Sequence, residues 1–245
     1  KTAVNIGKIN STFIAELNIH TWKVFNRVIK GGSIGFAEAY INSETSSPDI
    51  SKVIQLLSIN RDYNKNIIYG KTFYKYLNYI QHLFKPNSKT GSKKNISHHY
   101  DLGNDFYSKW LDSSMTYSSG IFNNKKFDLQ LAQKKKYESL CKITNIKPGD
   151  NILEIGCGWG GFSKYTAKKY GAKVTAVTIS NKQADYAKKR IYKEGLNDLV
   201  KIKVIDYRDI ISKYDKIISI EMFEAVGEKY WPVFFKKLHD NLEDN

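Results

Sequence analysis

The chain has 245 residues and a formal net charge of +15 at pH 7, with two cysteines and five histidines. This charge favours a polyanionic partner, which an anionic phospholipid surface satisfies as well as nucleic acid does. The cysteines and histidines show no zinc-type spacing, so we expect no metal site and a reducing, cytoplasmic environment. No apolar run approaches the roughly 20 residues of a membrane span, so any membrane contact should be peripheral.

The N-terminal third contains short apolar stretches without a clear period. Packed elements are expected at residues 13–19, 22–29 and 53–59. Residues 85–94 contain a proline, a glycine and several small polar side chains, which is typical of a linker. We therefore predict a small N-terminal domain over residues 1–90 and a second domain over residues 91–245.

Lysines occur in short runs at residues 93–94, 125–126 and 134–136. The chain is also rich in Asn, Ile and Tyr, a bias that AT-rich coding produces without selection on a surface. We therefore interpret these runs as solvated faces, whose summed charge favours adsorption to an anionic surface.

The stretch 151–161 joins a short apolar run to a cluster of glycines. Its apolar half predicts a buried parallel strand. Gly156, Gly158 and Gly160 let the backbone turn and approach a ligand where a Cβ would collide. Because a helix is expected next, at about 161–170, the arrangement is typical of a nucleotide-type cofactor site.

Two cofactors compete for this loop. Gly156, Gly158 and Gly161 satisfy the dinucleotide pattern G-x-G-x-x-G, but that site also needs an acidic residue about 20 positions further on, where residues 178–181 offer no carboxylate. S-adenosylmethionine (SAM) carries a cationic sulfonium, which a carboxylate such as Glu154 suits electrostatically. A tight turn that binds nothing is a third interpretation, disfavoured because successive glycines weaken the element they join. The loop alone places SAM modestly ahead.

Strand-like and helical stretches alternate through the C-terminal half. Strands are expected at 151–155, 173–177, 200–204 and 216–220, and helices at 161–170, 181–194 and 228–240. Ser180 is a suitable N-cap, and Gly171 and Gly195 are suitable C-caps. The alternation predicts an α/β fold with a parallel sheet whose carboxyl strand ends meet at one edge, where ligands bind. Those ends supply Glu154, Thr178, Ser180, Asp206, Tyr207, Arg208, Glu221 and Glu224.

Several separated blocks follow one another in a fixed order. They are residues 98–107 (HHYDLGNDFY), 110–111, 115–118 (MTYS), 154–162, 178–183, 206–209 (DYRD), 221–227 (EMFEAVG) and 230–231. In this combination the chain resembles the cyclopropane-fatty-acyl-phospholipid synthases and their mycolic-acid methyltransferase relatives, and a looser likeness covers about residues 16–85. The resemblance implies a Rossmann-like class I methyltransferase sheet, of which this chain carries the first four strands. It also implies a preceding small domain that binds lipid or forms a homodimer, with a plain helical appendage as the alternative.

The resemblance further implies an activity. The methyl group of SAM would pass to a cis double bond in the acyl chain of an unsaturated membrane phospholipid, followed by loss of a proton and closure of a cyclopropane. The carbocation formed on the way needs aromatic faces and a nearby base, with water kept out. Aromatic residues that fit this need, and that fit ordinary packing equally, are Tyr100, Phe106, Tyr107, Trp110, Tyr117, Phe223, Tyr230 and Trp231.

Site residues are implied in the same way. Glu224 matches a glutamate, and Ser119 replaces a cysteine, that together hold a bicarbonate as the proton acceptor, so these two are the expected catalytic residues. Cofactor contacts are expected from Tyr117 and Ser118 in the N-terminal lid, from Glu154, Gly156, Gly158 and Gly160, from Thr178, Ser180 and Gln183 at the ribose, and from Tyr207 and Arg208 at the adenine. Outside the resemblance, Gln183 and Arg208 would be read as solvated side chains.

Alternatives remain open. Relatives that leave a methyl or methylene branch begin with the same carbocation, and a catalytically weak lipid-binding protein would also account for Ser119. An RNA base methyltransferase would suit the charge, but its Asn/Asp-Pro-Pro-aromatic signature is absent where residues 220–223 read Ile-Glu-Met-Phe. We expect a phospholipid partner at the inner face of the membrane and no nucleic acid. Sheets of this class have more than four strands, so we also expect the chain to be a fragment with weak cofactor binding.

Overall fold

A computed structural model of the protein describes residues 3–7, 13–62, 103–123 and 128–244. The chain divides into two compact units, residues 1–85 and 86–245. The expected linker at 85–94 lies outside the described residues, as do the sequence block 98–102 and the lysine runs at 93–94 and 125–126. The domain boundary between residues 90 and 91 therefore stays a prediction.

The described residues of the N-terminal unit form two helices and a pair of short strands. Its described elements are β1 (Asn18–Ile19), α1 (Lys23–Ile41), β2 (Thr45–Ser46) and α2 (Ile50–Ile59), with β1 and β2 antiparallel. Two helical pieces of α1 meet at Gly32, whose backbone is not helical. Asp49 caps α2 by accepting a hydrogen bond from the amide of Lys52 at 3.3 Å. Two of the expected packed stretches, at 22–29 and 53–59, fall largely within α1 and α2.

The C-terminal unit alternates strands and helices. The helices among its described residues are α3 (Gly103–Ser108), α4 (Leu129–Ile143), α5 (Gly161–Tyr170), α6 (Asn181–Lys193) and α7 (Trp231–Asp240). Its strands are β3 (Asn151–Ile155), β4 (Lys173–Thr178), β5 (Val200–Val204) and β6 (Lys216–Ser219). The strands form one parallel sheet in the order β5-β4-β3-β6, so the α/β prediction is confirmed.

The sheet is buried on both faces, because its apolar residues alternate between two cores. Ile152 of β3 belongs to a cluster with Phe162 and Ile191, which come from α5 and α6. Leu153, its neighbour in β3, belongs to a second cluster with Tyr214 on the opposite face. Both residues are almost wholly inaccessible to solvent, as expected for a central parallel strand.

Strand register brings the polar strand ends together. Ile155 at the end of β3 pairs with Val177 of β4 and with Ser219 of β6, and Ser219 Oγ donates to the carbonyl of Ile155 at 3.2 Å. The loops that follow these strands therefore start side by side at one edge of the sheet, as the sequence predicted.

Most predicted element boundaries hold, and one needs correction. Gly195 ends α6 from the position after Glu194, with φ +65°, and the amides of Gly195 and Leu196 donate to the carbonyls of Tyr192 and Ile191 at 3.0 and 3.1 Å. The helix expected at 228–240 begins as a 3-10 turn, Glu228–Tyr230, and becomes α-helical at Trp231, where Pro232 fits the first turn. Within the described ranges, no helix combines the length and the apolar character needed to cross a membrane.

Candidate functional site

A cavity of about 980 Å³ lies at the carboxyl ends of the sheet strands in the C-terminal unit. Its wall comes from segments that are far apart in sequence, namely 110–119, the inner face of α4, 154–162, 177–183, 205–208 and 220–226. The strand ends therefore meet where the topology predicts a ligand site.

Most of the predicted site residues line this cavity together. They are Tyr117, Ser118, Ser119, Glu154, Gly156, Gly158, Thr178, Gln183, Tyr207, Arg208 and Glu224. Gly160 and Ser180 do not line it. Gly160 starts α5 in the left-handed region, and a Cβ on it would lie 3.1 Å from Cβ of Ala187. Ser180 caps α6 by accepting from the amide of Gln183 at 3.3 Å, so both residues have a structural task and their contact with a cofactor stays a prediction.

The glycine loop is held against both neighbouring strands. The amides of Gly156 and Cys157 donate to the carbonyl of Val177 at 2.9 and 3.0 Å. Gly156 has φ +81°, and a Cβ there would lie 2.8 Å from Cγ of Met222. Gly158 has φ +54° but no atom within 4 Å of where its Cβ would be. The backbone at Gly158 can therefore be approached closely from the cavity.

Glu154 is a buried carboxyl group at the cavity wall, with 3% of the residue exposed. Ser163 donates a short hydrogen bond to its Oε2 atom. Burial raises the pKa of Glu154 to about 8, against the opposing effect of Ser163. Because a nearby positive charge favours the ionised form of a carboxyl group, a cation bound in the cavity would lower this pKa.

Thr178, Ser180 and Gln183 form one hydrogen-bonded chain after β4. The Thr178 hydroxyl donates to Gln183 Oε1 at 3.0 Å and accepts from the Ser180 amide at 3.2 Å. Gln183 is 4% exposed, so its interpretation as a solvated helix residue is wrong. These hydrogen bonds fix the positions of the two side chains that face the cavity, Thr178 and Gln183.

Arg208 is joined to a neighbouring carboxylate instead of facing solvent. Its Nε and terminal nitrogen donate to the two oxygens of Asp206 at 2.8 and 2.7 Å, and both side chains are 13% exposed. The guanidinium also lies 5.4 Å from the ring centre of Tyr207. This forked pair holds the Tyr207 ring at the cavity edge.

Ser119 contacts a carboxylate that sequence reasoning did not assign a role. Its amide and its hydroxyl both donate to Glu221 Oε1, at 2.9 and 2.6 Å. Burial raises the pKa of Glu221, but the hydrogen bonds from Ser119 and the charge of Lys136 outweigh it, so the pKa lies below its ordinary value. Glu224, the expected catalytic carboxylate, and Glu221 are both exposed residues at the cavity wall. The catalytic roles of Ser119 and Glu224 stay predictions.

Lys136 is buried beside Ser118 and Ser119, so the prediction that it is solvated is wrong. It was expected to be solvated with the rest of the run 134–136, yet only 7% of it is exposed. Its ammonium donates to Ser118 Oγ and, at 2.7 Å, to the carbonyl of Ser119. Burial lowers its pKa to about 8, although the charge of Glu221 opposes this shift. Helical spacing placed it on the buried face of α4 with Gln133, whose amide nitrogen donates to the Ser118 carbonyl at 2.6 Å.

A separate bicarbonate does not fit this arrangement. Both Ser119 donors that an anion would use are bonded to the ionised carboxylate of Glu221. A second anion about 4 Å from that carboxylate would meet a repulsion of about 4 kcal/mol at an effective dielectric constant of about 20. The chain therefore supplies a carboxylate of its own where the family resemblance implied a bound anion.

Two half-exposed aromatic rings, Trp110 and Tyr117, lie at the cavity and pack against the buried rings of Tyr107 and Trp159. The Tyr117 ring lies 5.4 Å from Tyr107 and 5.3 Å from Trp110, and the Tyr107 ring lies 5.0 Å from Trp159. Trp110 and Tyr117 are 47% and 44% exposed. Tyr100, which was expected to join them, lies outside the described residues.

Arg190 joins residues 113–114, at the front of the cavity, to the glycine loop. This role was not predicted from the sequence. Its guanidinium donates to the carbonyls of Ser113 and Trp159, both at 3.1 Å, and of Ser114 at 2.6 Å. Three carbonyls from two segments converge on one side chain of α6. No local pattern marks such a residue, because its partners are distant in sequence.

Comparison with known proteins identifies the family. The family model for mycolic acid cyclopropane synthetase matches residues 87–245. The chain belongs to this family. The resemblance inferred from the sequence blocks is thereby confirmed.

Individual relatives in other organisms agree with this assignment. The chain is 38% identical over 156 residues to a probable fatty acid methyltransferase from Pseudomonas putida, which covers 63% of this chain and 40% of that protein. It is 34% identical over 251 residues to the cyclopropane-fatty-acyl-phospholipid synthase of Escherichia coli K12, which covers 96% of this chain and 60% of that protein. The chain thus spans about half the length of these relatives.

A solved structure supports the fold of this family member. The mycolic acid cyclopropane synthase CmaA1, in complex with S-adenosylhomocysteine (SAH) and CTAB, superposes with a TM-score of 0.60 at 29% sequence identity. The match covers 62% of this chain and 53% of that protein. The predicted Rossmann-like class I methyltransferase fold is confirmed by this likeness.

Proposed function

We propose that the protein transfers one carbon from SAM to the cis double bond of an unsaturated phospholipid acyl chain and forms a cyclopropane. The observation that carries this proposal is a single cavity that joins an open glycine loop to a hydrogen-bonded carboxylate, with Gly158 on one wall and Glu221 on another. Membership of the family adds support, because its members include a cyclopropane synthase that acts on phospholipid by name.

The residues on the cavity wall suit SAM. When bound, SAM supplies an electrophilic methyl group on a cationic sulfonium. Gly158 gives backbone access without a side chain, and Glu154 is a buried carboxyl group whose ionised form a cation would favour. Thr178 and Gln183 present polar atoms beside the loop. A structure of the relative CmaA1 holds SAH, which is consistent with this assignment.

The aromatic group at the cavity mouth suits an acyl chain. Methyl transfer to an alkene leaves a positive charge on carbon, which aromatic faces stabilise and which water would capture as an alcohol. Tyr117 and Trp110 offer such faces at the entrance. Their exposed surface is available to lipid, and the net charge of +15 favours adsorption to anionic phospholipid. We propose that the protein is cytoplasmic and associates peripherally with the inner face of the membrane. We also propose that it does not bind nucleic acid and that it forms a homodimer.

A second candidate activity is methylation that leaves a methyl or methylene branch. The relative from Pseudomonas putida is named a probable fatty acid methyltransferase, and it is 38% identical over 156 residues, beside 34% over 251 residues for the E. coli synthase. Ser119 in place of the expected cysteine also keeps a weakly catalytic lipid-binding protein as an alternative. Product analysis separates these candidates, because a ring and a branch differ in structure at equal carbon count.

The first test is calorimetric titration of the purified protein with SAH, with NADH as the control ligand. Gly158→Ala should weaken SAH binding at least about tenfold, since a methyl group would enter the open space against the ligand and tenfold corresponds to about 1.4 kcal/mol. Gly149→Ala is a matched control, because Gly149 also has a positive φ and open space around its Cβ position but lies outside the cavity.

The second test is mass spectrometry of unsaturated phospholipid vesicles after incubation with the protein and SAM. A gain of one carbon per double bond, resolved as a cyclopropane by NMR, is the expected result. Binding of NADH in preference to SAH, or a SAH-binding protein that leaves every unsaturated lipid unchanged, would contradict the proposal.

A further inference from the structure

Glu221 is a hydrogen-bonded carboxylate on the cavity wall. The amide and the hydroxyl of Ser119 both donate to its Oε1 atom. The ammonium of Lys136 donates to the Ser119 carbonyl, and its positive charge lowers the pKa of Glu221. These contacts fix one carboxylate oxygen at the cavity wall and keep it ionised. The second oxygen takes no part in the Ser119 contacts.

The backbone of Glu221 is held in an unfavourable conformation. Its φ is +47°, a region that residues with a Cβ rarely adopt. Residues other than glycine persist there when their surroundings over-determine them, and such residues cluster at active sites. Glycine would adopt this conformation without strain, so the glutamate side chain is retained at a cost to stability.

The position of Glu221 is also fixed relative to the glycine loop. The residue after it, Met222, packs directly on Gly156 and leaves no space there for a Cβ. Glu221 therefore lies between the loop proposed to hold the methyl donor and the Ser119 segment. A lipid double bond that reaches the donor through this cavity comes close to the carboxylate.

We propose that Glu221 itself is the catalytic base of this protein, in place of a bound bicarbonate. This inference rests on the proposed function. One alkene carbon bonds to the methyl carbon as the carbon–sulfur bond breaks, which leaves SAH and a positive charge on the other alkene carbon. The Glu221 carboxylate then takes a proton from the transferred carbon, and the electron pair of that C–H bond closes the ring. The protonated carboxyl group returns its proton to water after the product leaves.

A carboxylate is sufficient for this step. The positive charge lies one carbon away from the transferred carbon, and loss of a proton from that carbon forms a neutral ring, so this C–H bond is far more acidic than a carboxylic acid and the base needs proximity and charge and not a high pKa. Ser119 would act as a positioning residue, because both of its hydrogen bonds go to Oε1 of Glu221 and neither goes to Oε2.

The test compares three variants in buffer freed of carbon dioxide, with and without added bicarbonate. The wild-type rate should not depend on bicarbonate. Glu221→Gln should lower the turnover rate by about 10²- to 10⁴-fold while SAH affinity stays unchanged, as for loss of a general base. Glu221→Gly should relieve the backbone, free the Ser119 donors, and recover activity saturably with bicarbonate or formate. Asn145→Gly, at another left-handed residue remote from the cavity, controls for backbone relief.

A binding measurement independent of turnover accompanies this assay. Isotope-labelled bicarbonate, followed by NMR in the presence of SAH, should bind saturably to the Glu221→Gly variant and not to the wild type. The proposal is overturned if the wild type binds or requires bicarbonate, or if Glu221→Gln turns over normally. A wild type that modifies no unsaturated lipid would instead overturn the proposed function, which the bicarbonate measurement distinguishes.

Discussion

Replacing Glu154 by Gln should change how the stability of the protein depends on pH. Folding raises the pKa of this carboxyl group from an ordinary 4.5 to about 8 because it is buried at the cavity wall. Between these two values the folded protein keeps a proton on Glu154 that the unfolded chain has released. Stability therefore falls as pH rises through this window, and above the folded pKa it stays at the reduced value and no longer changes with pH through Glu154.

The size of the effect follows from the shift in pKa. One pKa unit corresponds to about 1.4 kcal/mol, so the wild type should lose about 4 kcal/mol from this group between about pH 5 and pH 8. The Glu154→Gln variant has no such proton and should not show this loss. Ser163 can donate to the amide oxygen as it does to the carboxyl group, so the variant keeps that hydrogen bond.

The assay is urea unfolding of both proteins at several pH values in this range. Subtracting one series from the other removes the titration of all other groups. The difference should fall steadily with rising pH in the stated direction. A flat difference, or one in which the wild type gains stability with pH, would refute the argument that Glu154 is protonated in the folded protein.

Three further substitutions test the walls of the cavity. Gly161→Ala places a methyl group 2.5 Å from the Tyr137 hydroxyl and should destabilise the protein by about 1–3 kcal/mol in urea unfolding; combination with Tyr137→Phe should cost less than the sum, and strict additivity would contradict the clash. Arg190→Lys cannot reach three carbonyls and should lower the free energy of unfolding by about 1–3 kcal/mol and weaken SAH binding, whereas unchanged values for both would exclude the clamp. Asp206→Asn should weaken SAH binding, because the ion pair that holds the Tyr207 ring is lost, and should lower the thermal stability. Added salt should lower the thermal stability of the wild type much less than this substitution does, since the ion pair is little exposed.

The sheet could be predicted because its signals are local. Apolar runs at 151–155 and 200–204 gave the boundaries of β3 and β5 without error, and Gly171 marked the end of α5. Most residues around the cavity followed from the topology, which brings parallel strand ends to one edge. Ser180 shows the limit of that reasoning, because it follows β4 as expected but its hydroxyl caps a helix.

The contacts that organise the site could not be predicted because they depend on distant partners. Ser119 and Glu221 are separated by 102 positions, and no local pattern pairs them. Lys136 belongs to a run of three lysines that looks solvated, and only the orientation of α4 shows which one is buried. The residues around the cavity could therefore be predicted from the sequence, but Ser119 was predicted to act with Glu224 and instead contacts Glu221.

The clamp made by Arg190 also constrains the order in which the protein can be assembled during synthesis. Its partners Ser113 and Ser114 emerge from the ribosome 76 to 77 residues earlier than the arginine that fixes them. By then β3, α5 and β4 are already available to pair and pack. The three carbonyls therefore gain their shared donor only when the last part of α6 has been made, and β5 and β6 of the sheet emerge later still.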